Sequence, residues 1–197
     1  MNTVSTLFLV RHGQTEWNLA KRSQGQLNSP LTNLGRSQAK QVKDKLLLKN
    51  IHKAYSSPLL RAVDTTSLII DSWPITMQVR QNLAEIHQGP WQGRTYEEIQ
   101  QRYPEEHYNF WEKPDKYQLS GAENYLELQQ RVVFEIKNIF KQNRGKNILV
   151  VSHGIVIKVI VAFILHKTLA EIAQVSLLDN GKYICLKQQN KSLTISS

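Results

Sequence analysis

Short, wholly apolar runs alternate along the chain with longer stretches in which apolar residues recur every three or four positions, the pattern of buried strands separated by amphipathic helices. Leu7 to Val10 is the first such run, and Ile148 to Val151 closely repeats it late in the chain. After the first run, Thr32 caps a predicted helix whose buried face is marked by Ala39, Val42 and Leu46 and which extends through Leu48. Lys53 to Ser56 reads as a second strand. Ser57-Pro58 then supplies an N-cap and a proline suited to the first helical position, for a helix reaching about Asp71.

Ile75 to Val79 is a third strand, and Gly89, Pro90 and Gly93 make Leu83 to Arg94 a loop. Thr95 with Glu98, and Ser120 with Glu123, have capping-box spacing, so helices are expected to begin at both. The second is long, roughly Gly121 to Gln142, with a stripe through Leu128, Val132, Ile136 and Ile139 or Phe140. After the strand Ile148 to Val151 comes a helix, Ile155 to His166. Val175 to Leu178, Tyr183 to Lys187 and Ser192 to Ile195 read as closing strands around an Asp179-Asn180-Gly181 turn.

This alternation predicts an α/β fold, a three-layer α/β/α sandwich on a mixed, mostly parallel sheet. No linker, repeat or low-complexity run divides residues 1–197, which read as a single domain. Within it, residues 94–120 are rich in aromatics and suggest a lid or insertion; Trp91, Tyr108, Phe110 and Trp111 read either as the wall of a pocket over an apolar group or as ordinary core.

Composition narrows the partners. The single cysteine, Cys185, excludes an internal disulfide framework and a cysteine-rich zinc site, and fits a reducing, cytoplasmic setting. The N-terminus lacks a basic segment before its short apolar run, so export is not expected. Ile148 to Leu165 looks apolar enough for a membrane, but Ser152, His153 and Lys158 interrupt it, which favours a buried strand, turn and helix. The net charge of +9 suits an anionic partner. Because Lys and Arg are scattered from Lys21 to Lys191 without a dense block, a small phosphorylated metabolite is expected rather than nucleic acid.

The candidate chemistry sits where both apolar strands end. Arg11-His12-Gly13 follows the first and Ser152-His153-Gly154 the second. In open α/β sheets the ligand crevice lies beyond the carboxyl ends of the strands, so the two histidines are expected to face one anion pocket. A neutral His12 is the candidate nucleophile toward phosphorus, with Arg11 neutralising phosphoryl oxygens. Arg61, in the first turn of the helix after Ser57-Pro58, adds guanidinium donors, and a protonated His153 would complete a cationic cradle that needs no metal and no cofactor. Glu85 is placed to protonate the leaving group and then to activate water. Taken singly, each of these residues has a structural reading; their combination carries the chemical one. His52, His87, His107 and His166 do not have zinc-helix spacing, and His87, as a neighbour of Glu85, is a substrate-contact candidate, as is Trp91.

In the order LFLVRHGQTEWN, QGQLNSPLTNLGRSQA, SSPLLRAVDTT, LAEIHQGPWQGRTYEEI and VVSHG, the chain closely resembles the histidine phosphatase, or phosphoglycerate mutase-like, superfamily over nearly its full length. The resemblance implies that His12 carries the phosphoryl group, that Arg11, Arg61 and His153 bind phosphate, and that Glu85 donates the proton. It also implies that Asn18, Gln24, Gly25 and Gly154 line the pocket and that the sheet has six strands, mostly parallel. Ile86 to Trp91 stands where the cofactor-dependent mutases carry Arg and Tyr, and the chain lacks their insertion, so it looks more like a bacterial broad-specificity phosphatase. A phosphoglycerate mutase and a non-catalytic phosphoester-binding regulator remain the alternatives. A homodimer is also considered, through an exposed hairpin strand near Tyr183.

Overall fold

The structure, a computed structural model, describes residues 4–189 and 192–196. Strands β1 (Ser5–Arg11), β2 (Ile51–Ser56), β3 (Met77–Val79), β4 (Asn147–Ser152), β5 (Tyr183–Gln189) and β6 (Ser192–Ser196) form one sheet in the order β3-β2-β4-β1-β5-β6. β3, β2, β4 and β1 are mutually parallel, whereas β5 runs antiparallel to β1 and to β6. The helices are α1 (Glu16–Leu19), α2 (Asn33–Leu46), α3 (Leu60–Ile70), α4 (Tyr96–Arg102), α5 (Pro104–Glu112), α6 (Tyr125–Gln142) and α7 (Gly154–Ile164).

Strand alternation sorts the core into two layers, because successive side chains point to opposite faces. Leu7, Leu9, Ile148 and Val150 join Val132 and Ile136 of α6 and Ile157 and Ile160 of α7. Phe8, Val10, Leu149 and Val151 join Ala39 and Val42 of α2 and Ala62 and Ile69 of α3. The expected three-layer sandwich is what forms. Thr32 caps α2 through the Gly35 amide, and Thr95 with Glu98 makes the expected capping box on α4.

Four local expectations are corrected. α3 begins at Leu60 rather than at Pro58: Ser57 Oγ accepts from the Leu59 amide at 3.3 Å and lies 2.6 Å from His153 Nε2, while Leu59 is the N-cap, its carbonyl accepting from Ala62 and Val63, and Arg61 stays in the first turn. α6 begins four residues later than the Ser120/Glu123 box, on an Asn124/Glu127 box, with Glu123 committed to Arg131. Val175 to Leu178 joins no strand: Ala170–Gln174 is a 3-10 turn, and the chain then runs extended, with the Leu178 carbonyl accepting from Arg11. Finally, the strand at Tyr183 is not a free edge. It lies between β1 and β6, which leaves β6 and β3 as the edges.

The aromatic segment folds as α4, α5 and a 3-10 turn, Pro114–Lys116. Trp91, Phe110, Tyr117 and Tyr125 are buried and stack with neighbouring centroids 5.0–6.1 Å apart, and the Tyr125 hydroxyl donates to the Phe110 carbonyl at 2.9 Å. No helix among the described residues is long and apolar enough to cross a membrane.

Candidate active site

The parallel pairing of β1 with β4 sets Arg11 opposite Ser152, so the next residues, His12 and His153, emerge side by side at the strand ends. The His12 amide donates to the Ser152 carbonyl at 3.0 Å, and the two imidazole centroids lie 5.2 Å apart. Gly13 then permits a close crossing that no other residue allows: a Cβ there would stand 2.4 Å from the Gly35 carbonyl oxygen. Its amide donates to Thr65 Oγ1 of α3 at 3.0 Å, tying the loop to the helix that carries Arg61.

His12 Nδ1 is 2.8 Å from the Gly13 carbonyl. A carbonyl only accepts, so Nδ1 carries the proton, and in a neutral ring Nε2 keeps its lone pair. The ring is held neutral, since burial pushes its pKa well below the usual histidine value and the charges of Arg61 and Arg11 push the same way. Arg61 is 1% exposed, with its terminal nitrogens donating to the Gly25 and Leu27 carbonyls at 2.7 and 2.8 Å. Burial lowers its pKa to about 10, so it stays cationic near neutrality. Arg11 donates to the Leu178 carbonyl at 2.6 Å.

His153 departs from expectation. Burial, then Arg61, His12 and Arg11, push its pKa well below the usual value, so at neutral pH it is uncharged beside the same arginines rather than an imidazolium. Its Nε2 lies 2.6 Å from Ser57 Oγ, while its Nδ1, Arg11 Nε, Arg61 Nε and Gln24 Oε1 are buried without a hydrogen-bond partner among the described residues. Buried polar atoms are ordinarily paired. Two unpaired guanidinium donors converging on one cleft are the mark of an anion site.

Glu85 faces this cleft from the loop after β3. Its carboxylate accepts from the Ile86 amide at 2.9 Å and from the first-turn amides of α7, Ile155 at 3.2 Å and Val156 at 3.3 Å. The loop itself is clamped by Arg131 of α6, whose guanidinium donates to the Asn82 and Ala84 carbonyls at 2.8 Å and the Glu85 carbonyl at 3.1 Å. The same guanidinium holds Glu123 at 2.5 and 2.8 Å.

Of the candidate residues, Arg11, His12, Asn18, Gln24, Gly25, Arg61, Glu85 and Gly154 line one cleft of about 500 Å³, including the part open to solvent. His153 abuts it through its ring contact with His12. His87 and Trp91 do not line it: His87 turns to the Gly121 carbonyl, 3.0 Å away, and Trp91 is in the aromatic core. Ser23, Gln88, Tyr96, Ile155 and Leu177 were not candidates on sequence yet complete the wall, together with Trp111. Proximity to the motifs was the one signal for Ser23 and Ile155, and Gln88 and Tyr96 stand inside the segment LAEIHQGPWQGRTYEEI; Leu177 is brought in by tertiary packing. Ser57, which meets His153, was legible only as a helix cap, and Arg131, which holds the Glu85 loop, carries no local signature. Among the described residues, no group of three or more His, Cys, Asp or Glu is placed to hold a metal.

The fold and the cleft define a class, an α/β protein that gathers imidazole and guanidinium groups around an anion at the ends of parallel strands. Its family follows from comparison: the profile of the histidine phosphatase superfamily (branch 1) matches residues 7–197. The chain is 29% identical over 185 residues to phosphoserine phosphatase 1 of Hydrogenobacter thermophilus, covering 94% of this chain and 87% of that one. It is 34% identical over 161 residues to a metal-independent phosphoserine phosphatase of Arabidopsis thaliana, covering 80% and 67%. The solved structure of Bacillus stearothermophilus YhfR superposes with a TM-score of 0.95 at 29% identity, covering 98% of this chain and 95% of that one. The chain belongs to the histidine phosphatase superfamily, and it is a phosphatase.

Proposed function

We propose that the protein hydrolyses small phosphate monoesters, without a metal, by two in-line displacements at phosphorus through His12. The observation that carries this reading is the neutral His12 ring, its Nδ1 proton given to the Gly13 carbonyl, set among guanidinium donors that lack acceptors. In the first displacement the Nε2 lone pair forms the N–P bond as the ester P–O bond breaks, and the protonated Glu85 carboxyl gives its proton to the departing alkoxide. In the second, the Glu85 carboxylate takes a proton from water, the water oxygen attacks phosphorus, the N–P bond breaks, and inorganic phosphate leaves with Glu85 protonated again. Arg11 and Arg61 offset the charge on the phosphoryl oxygens throughout. His153, neutral in the free pocket, takes up a proton once a dianion lies against it.

The cleft suits a small metabolite, and neither nucleic acid nor membrane has a part in the reading. A reducing, cytoplasmic setting fits the free, half-buried Cys185, and pairing of two copies through the closing hairpin falls to the β6 edge. α4 and α5 form the roof of the site, anchored in the core by Phe110. His12→Ala tests the proposal: turnover of p-nitrophenyl phosphate should fall by at least about a thousandfold, and acid-labile phosphate should appear on the wild-type protein alone. Undiminished turnover in the variant, or activity lost to chelators, refutes it.

A further inference from the structure

The end of the sheet away from the cleft gathers cations that are scattered along the chain. Strand β1 has seven residues, so at the usual rise this end lies about 20 Å from His12. Here α2 runs out into the 3-10 turn Leu47–Lys49 ahead of β2, and the turn after α6 leads into β4. Strand register brings the pieces together. Thr6 stands between Asn147 and Lys187, its amide donating to the Lys146 carbonyl at 3.0 Å, and the Gly145 amide donates to Ser5 Oγ at 2.8 Å. Asn147 Nδ2 donates in turn to the Lys49 carbonyl at 2.6 Å. Lys49 and Lys187 both lie within electrostatic reach of Cys185, whose thiol pKa burial raises and these two charges pull back down. Lys49, Arg144, Lys146 and Lys187 thus frame one surface.

Their charges are unanswered. None of the four is paired with a carboxylate among the described residues, and residues 45–53, 141–147 and 183–189 contain no Asp or Glu. Asp71, after α3, is held by Lys43 at 3.5 Å, and Asp44 stands one residue before Lys45. Helix ends account in part for Lys45, Lys49 and Arg144, since a cation there offsets the macrodipole. Lys146 and Lys187 adjoin or belong to strands and have no such role. Among these cations the turn after α2 raises an apolar tip: Leu46 is buried, whereas Leu47 is 60% and Leu48 93% exposed. Asn50, at φ 46°, then turns the chain into β2. One exposed leucine is ordinary; two in succession at the tip of a turn, beside unpaired cations, have the composition of an interfacial anchor.

We infer that this end of the molecule docks on an anionic lipid bilayer, with Leu47 and Leu48 entering the headgroup layer and Lys49, Arg144, Lys146 and Lys187 against lipid phosphates. Nucleic acid would answer the cations as well but would leave both leucines in water. Residues 45–53 and 141–147 also offer no Phe, Trp or Tyr on which a base could stack. Docked this way, the molecule turns its cleft away from the bilayer and leaves it open to soluble esters. The inference therefore does not rest on the hydrolytic reading, in which the membrane has no part.

Co-sedimentation with vesicles tests it. In about 0.1 M salt, the wild-type protein should bind phosphatidylcholine containing about one third phosphatidylglycerol at least about tenfold more tightly than phosphatidylcholine alone. Leu48→Ser should weaken that binding about fivefold to twentyfold, and Lys49→Glu with Arg144→Glu at least about tenfold. Circular dichroism and p-nitrophenyl phosphate turnover of both variants should match the wild type, because the altered side chains are exposed and lie at the far end from the cleft. If the charge-reversed variant does not fold, Leu48→Ser decides alone. A wild-type preference for anionic vesicles below about threefold, undiminished binding in Leu48→Ser, or tighter binding to a DNA duplex than to the vesicles overturns the lipid assignment. So does a wild-type dimer that Leu48→Ser dissociates in analytical ultracentrifugation, which would give the tip to a second copy. Vesicle binding by a protein that turns over no ester would leave the docking surface standing and refute the hydrolytic reading.

Discussion

Arg131→Met removes the clamp on the Glu85 loop while leaving every residue of the cleft in place. The guanidinium makes three hydrogen bonds to loop carbonyls and two to Glu123, with the pair's side chains only 20% and 14% exposed. Methionine fills much of the volume but leaves the Glu123 carboxylate with only the His87 amide, at 3.2 Å, and no cation, and the Asn82 and Ala84 carbonyls without this donor. The Glu85 carbonyl still has Gln26 Nε2 at 3.0 Å. Breaking a fully buried pair costs ~3–5 kcal/mol. Partial solvent access reduces this to about 2–4 kcal/mol, a fall in Tm of about 4–16 °C for a chain of this size.

The catalytic consequence is selective. A loosened Glu85 loses its aim at the leaving oxygen, and general acid catalysis is worth about 10²–10⁴ where the alkoxide is basic. The kcat/KM for methyl or ethyl phosphate should therefore fall about 10–100-fold in Arg131→Met, while that for p-nitrophenyl phosphate, whose leaving group needs no proton, should fall less than about threefold. Steady-state kcat/KM for both esters, which reports the first displacement and not the water step that both share, decides the matter when measured well below the variant's Tm and beside Glu85→Gln. Equal losses on the two esters, or a stable variant with no loss on either, would refute the positioning argument.

The buried imidazoles set a pH dependence whose sign follows from their depressed pKa values. His12 and His153 are neutral when folded but titrate near 6.5 when unfolded, so their stability contribution is complete above about pH 6.5 and is lost as pH falls below it, by up to about 1.4 kcal/mol per histidine per pH unit. Urea denaturation across that range should show the slope, and His153→Gln should lower it. Sulfate, a dianion throughout, should bind with proton uptake and more tightly as pH drops, as read by calorimetry in buffers of different ionisation enthalpy; pH-independent affinity would contradict the assigned neutral state. Gly13→Ala should destabilise by about 1–3 kcal/mol in chemical denaturation, since its Cβ meets the Gly35 carbonyl. Phe110→Ala should cost about 3–5 kcal/mol by the same measurement, as expected of a core ring rather than part of a detached flap.

Much of the fold was legible because it is written locally. The apolar runs at Leu7 and Ile148, the caps at Thr32 and Thr95, and the stripe of α6 each depend on residues within a few positions of one another. At both misplaced boundaries a side chain whose local role looked settled has a second partner: Ser57 accepts from Leu59 but also meets His153, 96 positions on, and Glu123 is paired with Arg131 across the first turns of α6. Val175 to Leu178 has strand composition but no neighbouring ladder to join, because β5 already occupies the free edge of β1.

The candidate site divides along the same line. Sequence alone placed two histidines and an arginine directly after strands and an acid in a glycine-flanked loop, since the carboxyl ends of parallel strands must open on one crevice. Only the tertiary structure decided how those groups behave. Whether His153 carries a charge depends on burial and on arginines from three other elements, and the orientation of Glu85 depends on amides of α7 and a guanidinium of α6. The aromatic part of the cleft wall, Tyr96 and Trp111, likewise comes together only through tertiary packing of α4 and α5. Hydrogen-bond partners within a turn can be read from spacing, whereas dielectric environment and shape arise from residues that meet only when the chain has folded.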